Sequence, residues 1–136
     1  MDVAKCNALK AELAEQAEPN LVPIERFFDG NDDEGSIGCN LSEHPGMDAF
    51  RETLCGLLRL PNVEAVYAQI AEIDPAEGLW PFSDTVFVVG TISAEELAEA
   101  VRELEPSSVG GGEDFDMPPL LAEMHDDLPV LAIWWD

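Results

Sequence analysis

Asp84 to Leu104 reads DTVFVVGTISAEELAEAVREL, and the fold is decided there. Val86-Phe87-Val88-Val89 is a short unbroken apolar run, the pattern of a strand buried on both faces. Ser93 and Glu96 follow in the capping-box arrangement, a hydroxyl at the helix cap and a carboxylate three residues on, so that each satisfies an orphan N–H of the first turn. Leu97, Ala98, Val101 and Leu104 then share one helical face. This stretch is a buried strand feeding an amphipathic helix.

Upstream, residues 74–78 (DPAEG) form a turn. Residues 63–73 before it, rich in Val, Ile, Ala and Tyr with Glu64 and Glu72 near the ends, predict a long strand. Phe50, Leu54, Leu57 and Leu58 make a helical stripe over 47–58, with Arg51 and Glu52 off it. That helix lies between the break at His44-Pro45-Gly46 and Pro61-Asn62. Residues 36–41 predict a short strand with Ile37 and Cys39 on one face. Downstream, the run Val130-Leu131-Ala132-Ile133-Trp134-Trp135 is too short for a typical helix and predicts a central strand.

In order from Ser36 these elements run strand, helix, strand, strand, helix, strand. That is the split βαβ pattern of a ferredoxin-like α+β domain. The expectation is a four-stranded antiparallel sheet with 36–41 and 84–90 central and both helices on one face. A helix over 2–17, with Val3, Cys6, Leu9, Leu13 and Ala17 on its apolar side, precedes this core of 36–136. Residues 24–28 suggest one more helical turn carrying Phe27 and Phe28. Residues 106–128, with Gly110-Gly111-Gly112, Pro118 and Pro119, predict a long flexible loop, all within a single domain of residues 1–136. The runs at 86–89 and 130–135 would leave apolar side chains on the helix-free face. The N-terminal helix, the 24–28 turn or a second copy pairing through the sheet would have to cover them.

Charge bounds the function. The chain has 29 Asp and Glu against 6 Lys and Arg, a net charge of −23, which repels nucleic acid and anionic membrane surfaces. With 46% hydrophobic residues and three Trp, it still has the means to build a core. The charge is uneven: residues 1–59 carry 12 acids and 5 bases, residues 60–136 carry 17 acids and one base, Arg102. The N-terminus lacks the pattern of a secretion signal and no stretch approaches about 18 apolar residues, so a soluble cytoplasmic protein is expected. Cys6, Cys39 and Cys55 are odd in number and lack close spacing. They predict free thiols rather than a disulfide or a zinc site.

Two sets of residues are candidate sites. Asp29, Asn31 and Asp33 alternate as calcium-loop ligands do, pointing to weak Ca²⁺ or Mg²⁺ binding by the 29–34 loop. The match to an EF-hand fails at position six, Glu34, and position twelve, Asn40; the plain alternative is a turn whose Asp and Asn side chains bond their own backbone. A second cation reading gathers Asp114, Asp116, His125, Asp126 and Asp127 in the 114–127 segment. With two histidines in all, His44 and His125, and no phosphate-binding, nucleotide-binding or nucleophile motif, neither a catalytic centre nor an organic cofactor is expected. The other set, Trp80, Phe82 and Trp135 with Asp114 and Asp116, suggests an aromatic and acidic face for a partner. The leading expectation is a non-enzymatic domain docking a basic protein partner, as an immunity protein or inhibitor does, with divalent-cation binding as the alternative.

Overall fold

The computed structural model describes residues 1–17, 19–111, 118, 121, 123, 125 and 128–135. Its elements are α1 (Val3–Glu15), β1 (Asn20–Pro23), α2 (Ile24–Phe28), α3 (Met47–Gly56), β2 (Val63–Glu72), β3 (Phe82–Gly90), α4 (Ala94–Ala100), β4 (Ser108–Gly111) and β5 (Val130–Trp134). The strands form one antiparallel sheet in the order β1-β2-β3-β5-β4. The apolar run of β3 is central, as expected: Val88 lies opposite Val66 on one side and Leu131 on the other.

Side chains alternate across a strand, so β3 divides the interior in two. Val86 and Val88 join Val66, Ala68, Ile70 and Ile133 on one face. Helices α1 to α4 pack there, through Cys6, Leu9 and Leu13 of α1, Ile24, Phe27 and Phe28 of α2, Met47, Phe50 and Leu54 of α3, and Leu97 of α4. Phe87 and Val89 point the other way, into a smaller cluster with Leu21 and Ala132. That face is covered by the chain itself: Leu121 is fully buried against it, Leu128 packs at its margin, and His125 Nε2 lies 3.0 Å from the Tyr67 hydroxyl. The expected cover by α1 or the 24–28 turn is corrected, since both belong to the first core.

The sheet also corrects the ferredoxin-like expectation. It has five strands rather than four, and 36–41 is not among them. Glu34–Ser36 is a 3₁₀ turn, and the chain then bends through Gly38, whose φ of 69° and contact with the Phe50 ring leave no room for a side chain. His44 holds this segment: its Nδ1 accepts from the Gly46 N–H at 2.9 Å, so Nε2 carries the proton and donates to the Ile37 carbonyl at 2.9 Å. The additional strands are the two edges. β1 ends at Pro23, which an edge tolerates because the missing N–H need not pair. β4 takes Ser108–Gly111 out of the expected flexible loop and pairs it with β5, Val109 opposite Ile133.

The helices follow their local signals. Asp2 caps α1, its Oδ1 accepting from the Lys5 N–H at 3.1 Å. Ser93 caps α4, its Oγ accepting from the Glu96 N–H at 3.1 Å and donating to Glu96 Oε1 at 3.4 Å. Arg102–Leu104 continues α4 as a 3₁₀ turn that buries Leu104. No helix among the described residues is long and apolar enough to cross a membrane.

Candidate functional site

The acidic loop is built inward. Asn31 is fully buried: its Nδ2 donates to the Phe27 carbonyl at 3.3 Å and to Ser36 Oγ at 3.0 Å, and its Oδ1 accepts from the Asp33 N–H at 2.9 Å. Asp33 accepts from the Gly35 N–H through Oδ1 and from the Trp80 N–H through Oδ2, both at 3.0 Å. Asp29 meets the Lys5 ammonium at 2.6 Å. The three oxygen-bearing side chains thus serve three separate protein contacts and do not converge on one point. Among the described residues, no three His, Cys, Asp or Glu lie close enough to hold a metal ion. Of the second cation set, Asp114, Asp116, Asp126 and Asp127 lie outside the described residues, and His125 is engaged with Tyr67.

The aromatic candidates move into the core. Trp80 is 1% exposed, and its indole N–H is buried without a hydrogen-bond partner among the described residues. Trp135 is 3% exposed and donates its Nε1–H to the Leu104 carbonyl at 2.9 Å, locking the end of the sheet to the turn after α4. Phe82 is half-buried at the start of β3. Burial withdraws the two tryptophans from any docking face, because a group already packed inside offers no area to a partner. Of the aromatic set, Phe82 alone keeps exposed surface.

Exposed acid gathers along α4 and the turn that follows it. Leu97, Val101 and Leu104 point inward, while Glu95, Glu96, Glu99, Glu103 and Glu105 stand in solvent around them. Arg102, the one cation of this half, is spent on Glu99 at 3.2 Å. β4 packs beside this helix and forms the end of the sheet order.

The opposite charge collects elsewhere. A cleft of about 870 Å³ opens between α2 and α3, lined by Arg26, Arg51 and Arg59 together with Glu25, Glu52 and Cys55. Phe28 lies beneath this lining and is only 1% exposed. Arg26 reaches Glu12 at 2.6 Å. Arg51 donates to Asp48 at 2.9 Å and to the Asn31 carbonyl at 3.3 Å. Burial pushes the Cys55 thiol above its ordinary value and Glu25 adds to that, while Arg51 and Arg59 pull against both.

The sequence pattern of the family described as "Uncharacterized protein YfbO family" matches residues 4–133. The chain belongs to that family. The match takes in every helix and strand except the first residue of α1 and the last of β5. The chain is also 29% identical over 117 residues to the "Uncharacterized protein YfbO" of Escherichia coli strain K12, covering 85% of this chain and 82% of that one. No solved structure matches.

Within this YfbO-family chain, the feature sequence reading missed is the row Arg51, Cys55, Arg59. These residues stand four apart and so lie along one side of a helix and its 3₁₀ extension. The spacing was legible. The same segment carries the stronger apolar stripe of Phe50, Leu54, Leu57 and Leu58, which masks the row.

Proposed function

We propose that the protein is a non-enzymatic docking domain that binds a basic protein partner, in the manner of an inhibitor or immunity protein. The observation carrying this reading is the outer face of α4 and its 3₁₀ extension, where Glu95, Glu96, Glu99 and Glu103 are exposed and the one arginine is already paired. A rigid element bearing like charges and anchored by Leu97, Val101 and Leu104 costs little to order on binding. Such a field speeds encounter with an oppositely charged surface and disfavours acidic competitors. The net charge of −23 extends the attraction beyond contact distance at low salt.

The test is capture from native lysate at low ionic strength, identification of what is retained, and titration of that protein against the purified chain. A basic partner whose affinity falls with salt, and falls about tenfold or more when Glu95, Glu96, Glu99 and Glu103 are all changed to Gln, supports the reading. A partner indifferent to both, or no partner at all, overturns it.

A further inference from the structure

The cleft between α2 and α3 is unlike the rest of the surface. Three of the chain's six Lys and Arg line it. Among the described residues Arg59 makes no ion pair or hydrogen bond, in a protein whose acids outnumber its bases by 29 to 6. Glu25 and Glu52 on the same walls likewise have no cation within ion-pair distance among the described residues. Unspent charges of both signs therefore face one concave space of about 870 Å³, within the range of small-molecule sites.

We propose that this cleft binds a small zwitterion of the amino-acid class, its carboxylate taken by Arg59 and Arg51 and its ammonium by Glu25 and Glu52. The charge balance selects this chemistry. The cleft's three arginines are matched by Glu25, Asp29 and Glu52, so the lining has no net charge to offer a phosphate, and the surrounding field of −23 opposes any free anion on approach. A ligand of zero net charge feels no such repulsion, yet its two ends meet guanidinium and carboxylate groups that are free to pair. Arg51 keeps guanidinium N–H groups beyond those used for Asp48 and Asn31, and a planar fork of donors suits a carboxylate. This site is separate from the acidic face of α4 and does not depend on the docking role.

Cys55 supplies a built-in reporter, because it lines the cleft and is only partly buried. The experiment screens the free amino acids at about 10 mM, with acetate and inorganic phosphate alongside, reading thermal shift together with the alkylation rate of Cys55. The expected result is that one or a few amino acids raise the melting temperature and slow Cys55 alkylation, while acetate and phosphate do neither. Arg59→Gln and Glu52→Gln, both at exposed positions, should each weaken that binding about tenfold or more while leaving the melting temperature of the free protein unchanged. Three results would overturn the proposal: no amino acid protects Cys55, acetate or phosphate protects it equally, or binding survives both substitutions undiminished.

Discussion

The backbone N–H of Trp80 donates to Oδ2 of Asp33 across 3.0 Å, joining two segments 47 residues apart. This bond gives both segments a structural role. The other oxygen of Asp33 caps the 3₁₀ turn at Gly35, so both carboxylate oxygens help fasten the acidic loop to the chain entering β3. The Trp80 ring is thereby held inside the first core. A loop rich in ligand-type residues and an aromatic segment resembling a docking anchor are two halves of one structural junction.

Asp33→Ala should destabilise the fold by about 1–3 kcal/mol, since it strands the Trp80 and Gly35 donors together. Asp33→Asn keeps one oxygen acceptor and should lose less. Urea unfolding of the three proteins, with the slope of the transition unchanged, checks the order.

Trp80→Phe separates the packing of this ring from its polarity. The indole N–H is buried and unpaired among the described residues, so removing it relieves a cost while the smaller ring leaves a partial void. The net loss should be below about 1.5 kcal/mol, whereas Trp80→Ala should cost about 3–5 kcal/mol. Equal losses in equilibrium denaturation would show that the orphan donor carries no penalty.

What was legible in the sequence was local or strongly patterned. The Ser93–Glu96 cap is written within four residues, and the runs of β2, β3 and β5 could scarcely be anything but buried strands. The edges were not legible. β1 is four residues, Asn20–Pro23, directly after Pro19, and β4 is Ser-Val-Gly-Gly; each is a strand only because a longer neighbour offers it a ladder. The segment 36–41 misled for the opposite reason. Its Ile37 and Cys39 alternate as in a strand, but Gly38 and the distant His44 impose a turn. The functional surfaces divide the same way: the acid of α4 is visible as composition, while the cleft needs α2 and α3 brought together before its arginines and glutamates face one space.

Gly90→Ala should cost about 1–3 kcal/mol. Gly90 ends β3 at φ 152°, where an added Cβ would strike the Asn62 carbonyl. That carbonyl already accepts from the Thr91 N–H at 2.9 Å, so it cannot withdraw without losing the bond that starts the β2–β3 pairing. Amide exchange in the variant should quicken first around Asn62, Val63 and Thr91. Uniform acceleration across the sheet would instead place the damage elsewhere.

The three thiols should alkylate in the order Cys39, Cys55, Cys6, following exposed, partly buried and buried positions. The thiolate is the reacting form, and Cys55 is held above its ordinary value chiefly by burial and then by Glu25, with Arg51 and Arg59 opposing. Arg59→Gln removes a lowering influence and should slow Cys55 further; Glu25→Gln removes a raising one and should speed it. Peptide mass spectrometry over a time course reads each site separately, and a change of the same sign in both variants would contradict the electrostatic account.

Tyr67 is the chain's one tyrosine, so its phenol can be titrated alone by near-ultraviolet absorbance. Burial raises it above the ordinary value of 10.0, because the phenolate would have to form where the sheet's second face is covered by Leu121, His125 and Leu128. The sign for stability follows: the folded state holds this proton more tightly than the unfolded chain. Its contribution is therefore complete below the unfolded value and is lost as pH rises through the folded one. The native protein should titrate later than the chain in denaturant. Leu121→Ala should cost about 2–5 kcal/mol as a fully buried leucine and, by admitting water over the ring, bring the native titration back toward the ordinary value. If the variant loses stability while Tyr67 still titrates as in the wild type, the cover over this face does not rest on Leu121 packing above the tyrosine.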